Sequence, residues 1–186
     1  MKYAFITGGS RGIGRAIAIK IAKDLKYPVL INYQSNDVAA SETKKMIEEE
    51  GGSCTLLKFD VADNKSTKEV LDQWLTKNPE ATIEVLVNNA GITRDGLFMW
   101  MKPEDWHDVL DISLNGFYNV TNHLIQKMLT NRFGRIINVV SVSGVKGTPG
   151  QANYSAAKGA LVAATKALAQ EVAKRKVTVN AVAPGL

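Results

Sequence analysis

Cysteine occurs once, at Cys54, in a chain of 186 residues. A single thiol closes no internal disulfide and makes no thiolate metal site, so the reducing cytoplasm is the expected compartment. Histidine is nearly as scarce, with only His107 and His123. Both read as surface or packing residues, and no cluster has metal-ligand spacing, so no metal is expected. No apolar run approaches the roughly 20 residues of a membrane-spanning helix, and the stretch after Met1-Lys2 is too short for a signal sequence, so no membrane association is expected. Repeats, low-complexity tracts and linkers are absent. Basic and aromatic residues form no common stripe, which argues against a nucleic acid partner.

Hydrophobic residues make up 45% and charged residues 22%, the balance of a folded globular chain. The length suits one domain over 1–186 with a sizeable core. The net charge of +5 is ordinary for solubility. It also suits anionic ligands, such as a phosphorylated cofactor or an acidic carrier protein.

Short apolar runs alternate with amphipathic stretches. The runs predict strands at Tyr3–Thr7, Val29–Tyr33, Ser53–Phe59, Ile83–Asn88, Arg135–Ser141 and Val177–Val182. Helices are predicted at Ile13–Leu25, Val38–Glu50, Lys65–Lys77, Glu104–Leu129 and Tyr154–Lys174. This alternation predicts an α/β fold, a doubly wound parallel sheet with helices on both faces. Such sheets bind ligands beyond the carboxyl ends of their strands. The residues there are TGGSRGIG after the first strand, NNAG after the fourth, SVS after the fifth and APGL after the sixth.

The segment Thr7-Gly8-Gly9-Ser10-Arg11-Gly12-Ile13-Gly14 joins strand to helix. Glycines permit positive φ and close approach to a pyrophosphate, and a helix beginning near Ile13 aims free N–H groups at that anion. The spacing Gly-x-x-x-Gly-x-Gly differs from the general dinucleotide fingerprint. Tyr154 and Lys158, in YSAAK, stand four apart and share one helix face. Behind them Gly159 to Ala163 is apolar, so the pair needs a polar destination. Reducing a ketone takes a hydride and a proton, and a nearby ammonium favours the phenolate that a tyrosine leaves on giving up its proton.

TGGSRGIG, NNAG, YSAAK and the final Pro184-Gly185 together resemble the short-chain dehydrogenase/reductase family along the whole chain. The branch most resembled reduces 3-oxoacyl groups on an acyl carrier protein in fatty acid biosynthesis. The resemblance implies a Rossmann fold and a nicotinamide cofactor held by Gly8, Ser10, Arg11, Gly12, Ile13, Gly14, Asn32, Tyr33, Asp60, Val61, Asn88, Ala90, Gly91, Tyr154, Lys158, Pro184 and Gly185. The second strand ends Asn32-Tyr33 with no carboxylate before Asp37, and Arg11 can pair with a 2′-phosphate, so the expected cofactor is NADP(H).

By the same resemblance Tyr154 is the general acid, and Lys158 tunes it and holds the nicotinamide ribose. Ser141, thirteen residues before Tyr154, would steady the forming oxyanion and is preferred over Ser143. The family's fourth catalytic residue is an asparagine, and here Ser113 stands in its place. Asn115 lies two residues on, a rotation of about 200° in a regular helix, and would reach the site only through a bulge or register shift. Ser113 is expected to hold a water in a modified relay.

Arg132 and Arg175 match basic positions that would contact the acyl carrier protein; each can equally be a solvated charge. Coenzyme A thioesters or another ketone are alternative substrates, and an NADP-binding module without turnover is the alternative of another class. Leu97-Phe98-Met99-Trp100-Met101 reads as a wall for the acyl chain or as core or subunit contact. The two long helices, Glu104–Leu129 and Tyr154–Lys174, would build a homotetramer. In the family, Pro-Gly leads into further substrate-covering chain, so Leu186 is expected to be a truncation and the C-terminal part of the fold to be absent.

Overall fold

Apolar residues at consecutive positions, rather than alternate ones, give strands that are buried on both faces. A computed structural model describes residues 1–185 and contains six of them. They are β1 (Lys2–Ile6), β2 (Val29–Tyr33), β3 (Cys54–Lys58), β4 (Thr82–Asn88), β5 (Gly134–Val139) and β6 (Val177–Val182). All pair in parallel, in the order β3-β2-β1-β4-β5-β6. The order reverses between β1 and β4, and a crevice at that switch point is where this fold takes its ligand.

Helices α1 (Gly12–Leu25) and α2 (Asp37–Glu49) cover one face, packing Ala18, Ala22 and Ile47 on Ala4, Ile6, Val29 and Ile31. On the other face lie α3 (Asn64–Lys77), α5 (Gly116–Asn131) and α7 (Ala152–Val172). They bring Leu71, Trp74, Val120, Leu124, Met128 and Val172 against Phe5, Leu30, Leu86 and Ile136. Full burial of a large apolar side chain contributes roughly 1.5–3 kcal/mol. At the sheet edge β6 buries Val177 and Val179 but exposes Thr178 and Asn180.

Helix starts follow local chemistry. The Asn36 side chain accepts from the Ala39 N–H, and that of Asp63 from Lys65 and Ser66. Helix α1 has no side-chain cap, and its first N–H groups face the crevice.

The helix expected over Glu104–Leu129 is interrupted. Helix α4 (Pro103–Leu110) runs into a π turn at Asp111–Asn115, closed by the Gly116 N–H on the Asp111 carbonyl, before α5 begins. A one-residue insertion does not change which residue types are apolar, so the sequence pattern does not register it; such turns cluster at functional sites. A short helix, α6 (Ser143–Lys146), follows β5. Of the readings offered for Leu97–Met101 (acyl-chain wall, core or subunit contact), core does not hold: Leu97, Phe98, Met99 and Trp100 are 53–76% exposed, around a 3₁₀ turn at Phe98–Trp100, and none of the segment lines the cavity described below. Among the described residues, no helix is long and apolar enough to cross a membrane.

Candidate active site

A cavity of about 690 Å³ opens beyond the carboxyl ends of β1, β4 and β5. Its volume lies in the range of small-molecule sites. Near β2 and β3 its wall carries Arg11, Asn32, Tyr33, Asp60 and Val61; near β5 and α7 it carries Ser141, Tyr154 and Lys158. Between them lie Gly8, Ser10, Ile13, Ala90 and Gly91, with Pro184 and Gly185 beyond β6.

The glycine loop is folded by its own backbone and by two asparagines. Gly8 and Gly12 take φ of +62° and +56°, a region that favours glycine. A Cβ on Gly14 would collide with the Gly8 carbonyl oxygen and lie 2.5 Å from Asn89 Nδ2, so α1 sits directly on the loop. Asn32 Oδ1 accepts from the Gly8 N–H (3.3 Å), and Asn89 Nδ2 donates to the carbonyls of Thr7 (3.0 Å) and Gly8 (3.1 Å). Arg15 is consumed by structure, donating to Ser10 O and pairing with Glu42, both at 2.9 Å. Arg11 is exposed on the cavity wall, and its guanidinium enters no hydrogen bond or ion pair among the described residues.

No carboxylate follows β2 on the wall. Asp37 is turned to the Lys58 ammonium (2.7 Å) and the Tyr33 hydroxyl (2.9 Å), and the hydrogen bond from Lys58 holds its carboxyl below the usual range. Asp60 accepts from the Ala62 N–H (2.9 Å) and from Gln34 (2.7 Å). Among the described residues it is the one carboxylate that lines the cavity, whose cations are Arg11, Arg94 and Lys158.

Tyr154 and Lys158 lie in the first turns of α7. Lys158 is 4% exposed, and its Nζ lies 5.7 Å from the centre of the Tyr154 ring and donates to Val139 O at 2.8 Å. Burial pushes its pKa down to about 8. Ser141 follows β5 by two residues, and its Oγ accepts from the Ser143 N–H at 3.1 Å. The chain turns there, so Ser143 faces Thr148 and Gln151 instead of the cavity. Gly144 presses this turn onto α7: a Cβ there would lie 2.7 Å from the backbone of Lys158 and Gly159.

The match to the short chain dehydrogenase family runs over residues 2–186. The chain belongs to that family. It is 45% identical to a 3-oxoacyl-[acyl-carrier-protein] reductase of Synechocystis over 98% of this chain and 72% of the relative. Reductases of the same name from Staphylococcus epidermidis and Haemophilus influenzae are 42% and 43% identical, over 99% of this chain and 74% and 73% of theirs.

Four expected site residues of this short chain dehydrogenase lie off the cavity wall: Gly12, Gly14, Asn88 and Ser113. Asn88 is buried and donates to Thr121 Oγ1 (3.0 Å) and Asn138 Oδ1 (2.9 Å), joining β4 to β5 and α5. Its neighbour Asn89 is the one on the wall; the doublet in NNAG is the signal, since successive side chains of an extended chain point to opposite sides. Ser113 is 3% exposed, and its Oγ has no partner. The position a Cβ on Gly91 would take lies 3.3 Å from Ser113 Oγ and 3.4 Å from Lys158 Nζ, so all three meet at one point. Asn115 faces outward despite the π turn and donates to Asp111 at 2.6 Å.

Arg132 and Arg175 are brought together, but not to the cavity. Arg132 ends α5 in the left-handed region and donates to Lys174 O at 3.1 Å, beside Arg175 in the 3₁₀ turn Ala173–Arg175. Both are exposed and precede β5 and β6, at the amino ends of the strands. Sequence reasoning missed Thr93 and Arg94 on the wall and Asn153 beneath it.

Proposed function

We propose that this protein reduces a 3-oxoacyl thioester, carried on an acyl carrier protein, to its 3-hydroxyacyl form with NADPH, in fatty acid biosynthesis. One observation carries the reading: Ser141, Tyr154 and Lys158 share a single cavity with the glycine loop. The names of the relatives supply the carrier-linked substrate. The residues fit the cofactor. The uncapped start of α1 and the bare Gly8–Gly12 turn can take a pyrophosphate. Arg11 can take a 2′-phosphate, with Asn32 and Tyr33 where a carboxylate would repel it.

When bound, NADPH supplies the hydride. Ser141 Oγ donates to the substrate carbonyl and steadies the forming alkoxide. Tyr154 gives that oxygen its proton. Lys158, anchored on Val139 O, faces the ring and favours the phenolate left behind. Ser113 Oγ, unpartnered beside Lys158 and Gly91, would hold a water that returns a proton to this pair. Unchanged turnover of Ser113→Ala across pH removes that role.

The chain as one Rossmann domain, assembled as a homotetramer in the cytoplasm, completes the reading. Exposed Tyr118, Ala156, Ala163 and Ala167 on α5 and α7 suit subunit contact. The test is NADPH oxidation with acetoacetyl-carrier protein, beside Tyr154→Phe. Turnover that vanishes in the variant supports the reading. NADPH binding without turnover leaves a nucleotide-binding module, and a preference for acetoacetyl-CoA replaces the carrier as substrate.

A further inference from the structure

Asn153 precedes Tyr154 and is completely buried, yet it lies off the cavity wall. Its side-chain bonding capacity is directed at three backbone groups. The amide nitrogen donates to Arg94 O at 2.9 Å and to Asp105 O at 3.0 Å, and the amide oxygen accepts from the Tyr154 N–H at 2.7 Å. That N–H belongs to the first turn of α7, where no helical carbonyl is available to it. Both amide protons and the oxygen are therefore used, and the three groups belong to three segments: α7, α4 and the loop after β4.

The loop after β4 adds Ile92, Thr93 and Arg94 to the cavity that Tyr154 lines. Its next residues are fastened to the same turn of chain in reverse order. Asp95 accepts from Gln151 Nε2 at 3.0 Å, and the Gly96 N–H donates to Gly150 O at 2.8 Å. So 94, 95 and 96 meet 153, 151 and 150 in an antiparallel seam. The two outer fastenings are partly open to water, and water can replace them. Asn153 is sealed, and water cannot.

We propose that Asn153 is a positioning residue that fixes the width of the substrate slot between Tyr154 and the Ile92–Arg94 wall. A simple helix cap would need only the bond to the Tyr154 N–H. The two donations to Arg94 O and Asp105 O set where that wall stands. A proton donor works only with its oxygen within hydrogen-bond reach of the reacting atom, so a slackened slot costs turnover before it costs cofactor binding. The glycine loop, on the far side of β4, is not part of the seam.

The inference rests on Tyr154 as the proton donor, and the experiment separates the two. Asn153→Ala removes all three bonds. Asn153→Asp keeps the shape and the acceptor but turns one carboxylate oxygen, in place of the amide nitrogen, towards two carbonyls. For both, kcat is expected to fall at least tenfold. The NADPH Kd, from fluorescence titration, should stay within twofold. Without NADPH, hydrogen exchange over residues 92–100 should quicken several-fold. A kcat within twofold of the parent overturns the inference, as does loss of NADPH affinity in step with kcat, the mark of a merely structural residue. If Asn153→Ala does not fold, Asn153→Ser is read by the same criteria. Tyr154→Phe is run beside them: if it still turns over, the reading beneath the inference fails. If it is inactive while the Asn153 variants are fully active, only the inference fails.

Discussion

Gly14→Ala sets helix propensity against packing, and the structure says which wins. Gly14 is the third residue of α1, where replacing glycine by alanine adds at most about 1 kcal/mol of helix stability. The added Cβ, however, falls on the Gly8 carbonyl oxygen and on Asn89 Nδ2. The first is backbone, pinned through Asn32 and Asn89, and cannot swing away. The second can move only by giving up its bonds to Thr7 O and Gly8 O, worth about 1 kcal/mol each. Overpacking adds roughly 1–3 kcal/mol. The net is a loss of about 2–4 kcal/mol, a fall in Tm of roughly 4–16 °C for a chain of this size. Pushing α1 off the loop also withdraws its N–H groups from the anion site, so the NADPH Kd should rise at least about tenfold, or about 1.4 kcal/mol. Gly12→Ala is the control. Nothing lies within 4 Å of its Cβ, and only the positive φ opposes it, at about 1–2 kcal/mol. Circular dichroism melts and fluorescence titration decide the matter. A Gly14→Ala protein that melts at or above the parent and binds NADPH equally well refutes the packing argument.

Arg11→Ala should weaken NADPH by roughly 1.5–3 kcal/mol and leave NADH nearly unchanged, measured as paired Kd values; an equal loss for both removes Arg11 from the 2′-phosphate. Burial lowers the Lys158 pKa from 10.5 to about 8, so the unfolded chain binds the extra proton between those values and stability rises with pH across that window. Relative to Lys158→Met, the parent should gain on the order of 3 kcal/mol in denaturant unfolding from pH 8 to 10.5, and a constant difference would contradict the burial argument. Arg132→Glu with Arg175→Glu should raise KM for a carrier-bound substrate at least tenfold and leave a small ketone untouched; an equal change in both would show that these arginines do not meet the carrier.

The parallel sheet was legible because buried strands need consecutive apolar residues, and Val29–Tyr33 and Ile83–Asn88 supply them without charge beyond Glu84. Glu84 itself survives burial by pairing with Lys2 (3.1 Å) and accepting from Tyr27 (2.8 Å). The glycine loop was legible for the same kind of reason, since each glycine answers a specific need of backbone. The π turn was not legible, because one inserted residue shifts the register of α5 without changing which residue types are apolar. Asn153 was hidden differently. Its work is done on the carbonyls of residues 94 and 105, and carbonyls carry no sequence signature. Helical arithmetic set Asn115 aside on the premise of a regular helix. The premise fails at Asp111–Asn115, yet the conclusion stands, since even in a widened turn two residues carry the chain about halfway round the axis, to the opposite face.

Arg132 shows how separation along a chain misleads in a parallel sheet. Ser141 stands only nine positions further on, few enough to suggest one neighbourhood. The residues between contain all of β5, and a strand crosses the domain. At about 3.3 Å per residue its two ends stand roughly 20 Å apart, on opposite edges of the sheet. Because every strand is parallel, all carboxyl ends share one edge, and with them the glycine loop, Ser141 and Tyr154. Arg132 and Arg175 share the other edge, and by the same reasoning. A carrier docked there reaches the cavity of this chain only with an arm as long as the strand, or else it faces the cavity of a neighbouring subunit. The charge reversal at Arg132 and Arg175 should therefore depend on assembly if the neighbour is served. A dimer-breaking change on the outer face of α7 would then abolish its effect on KM, whereas an arm spanning this chain's own sheet would leave that effect intact.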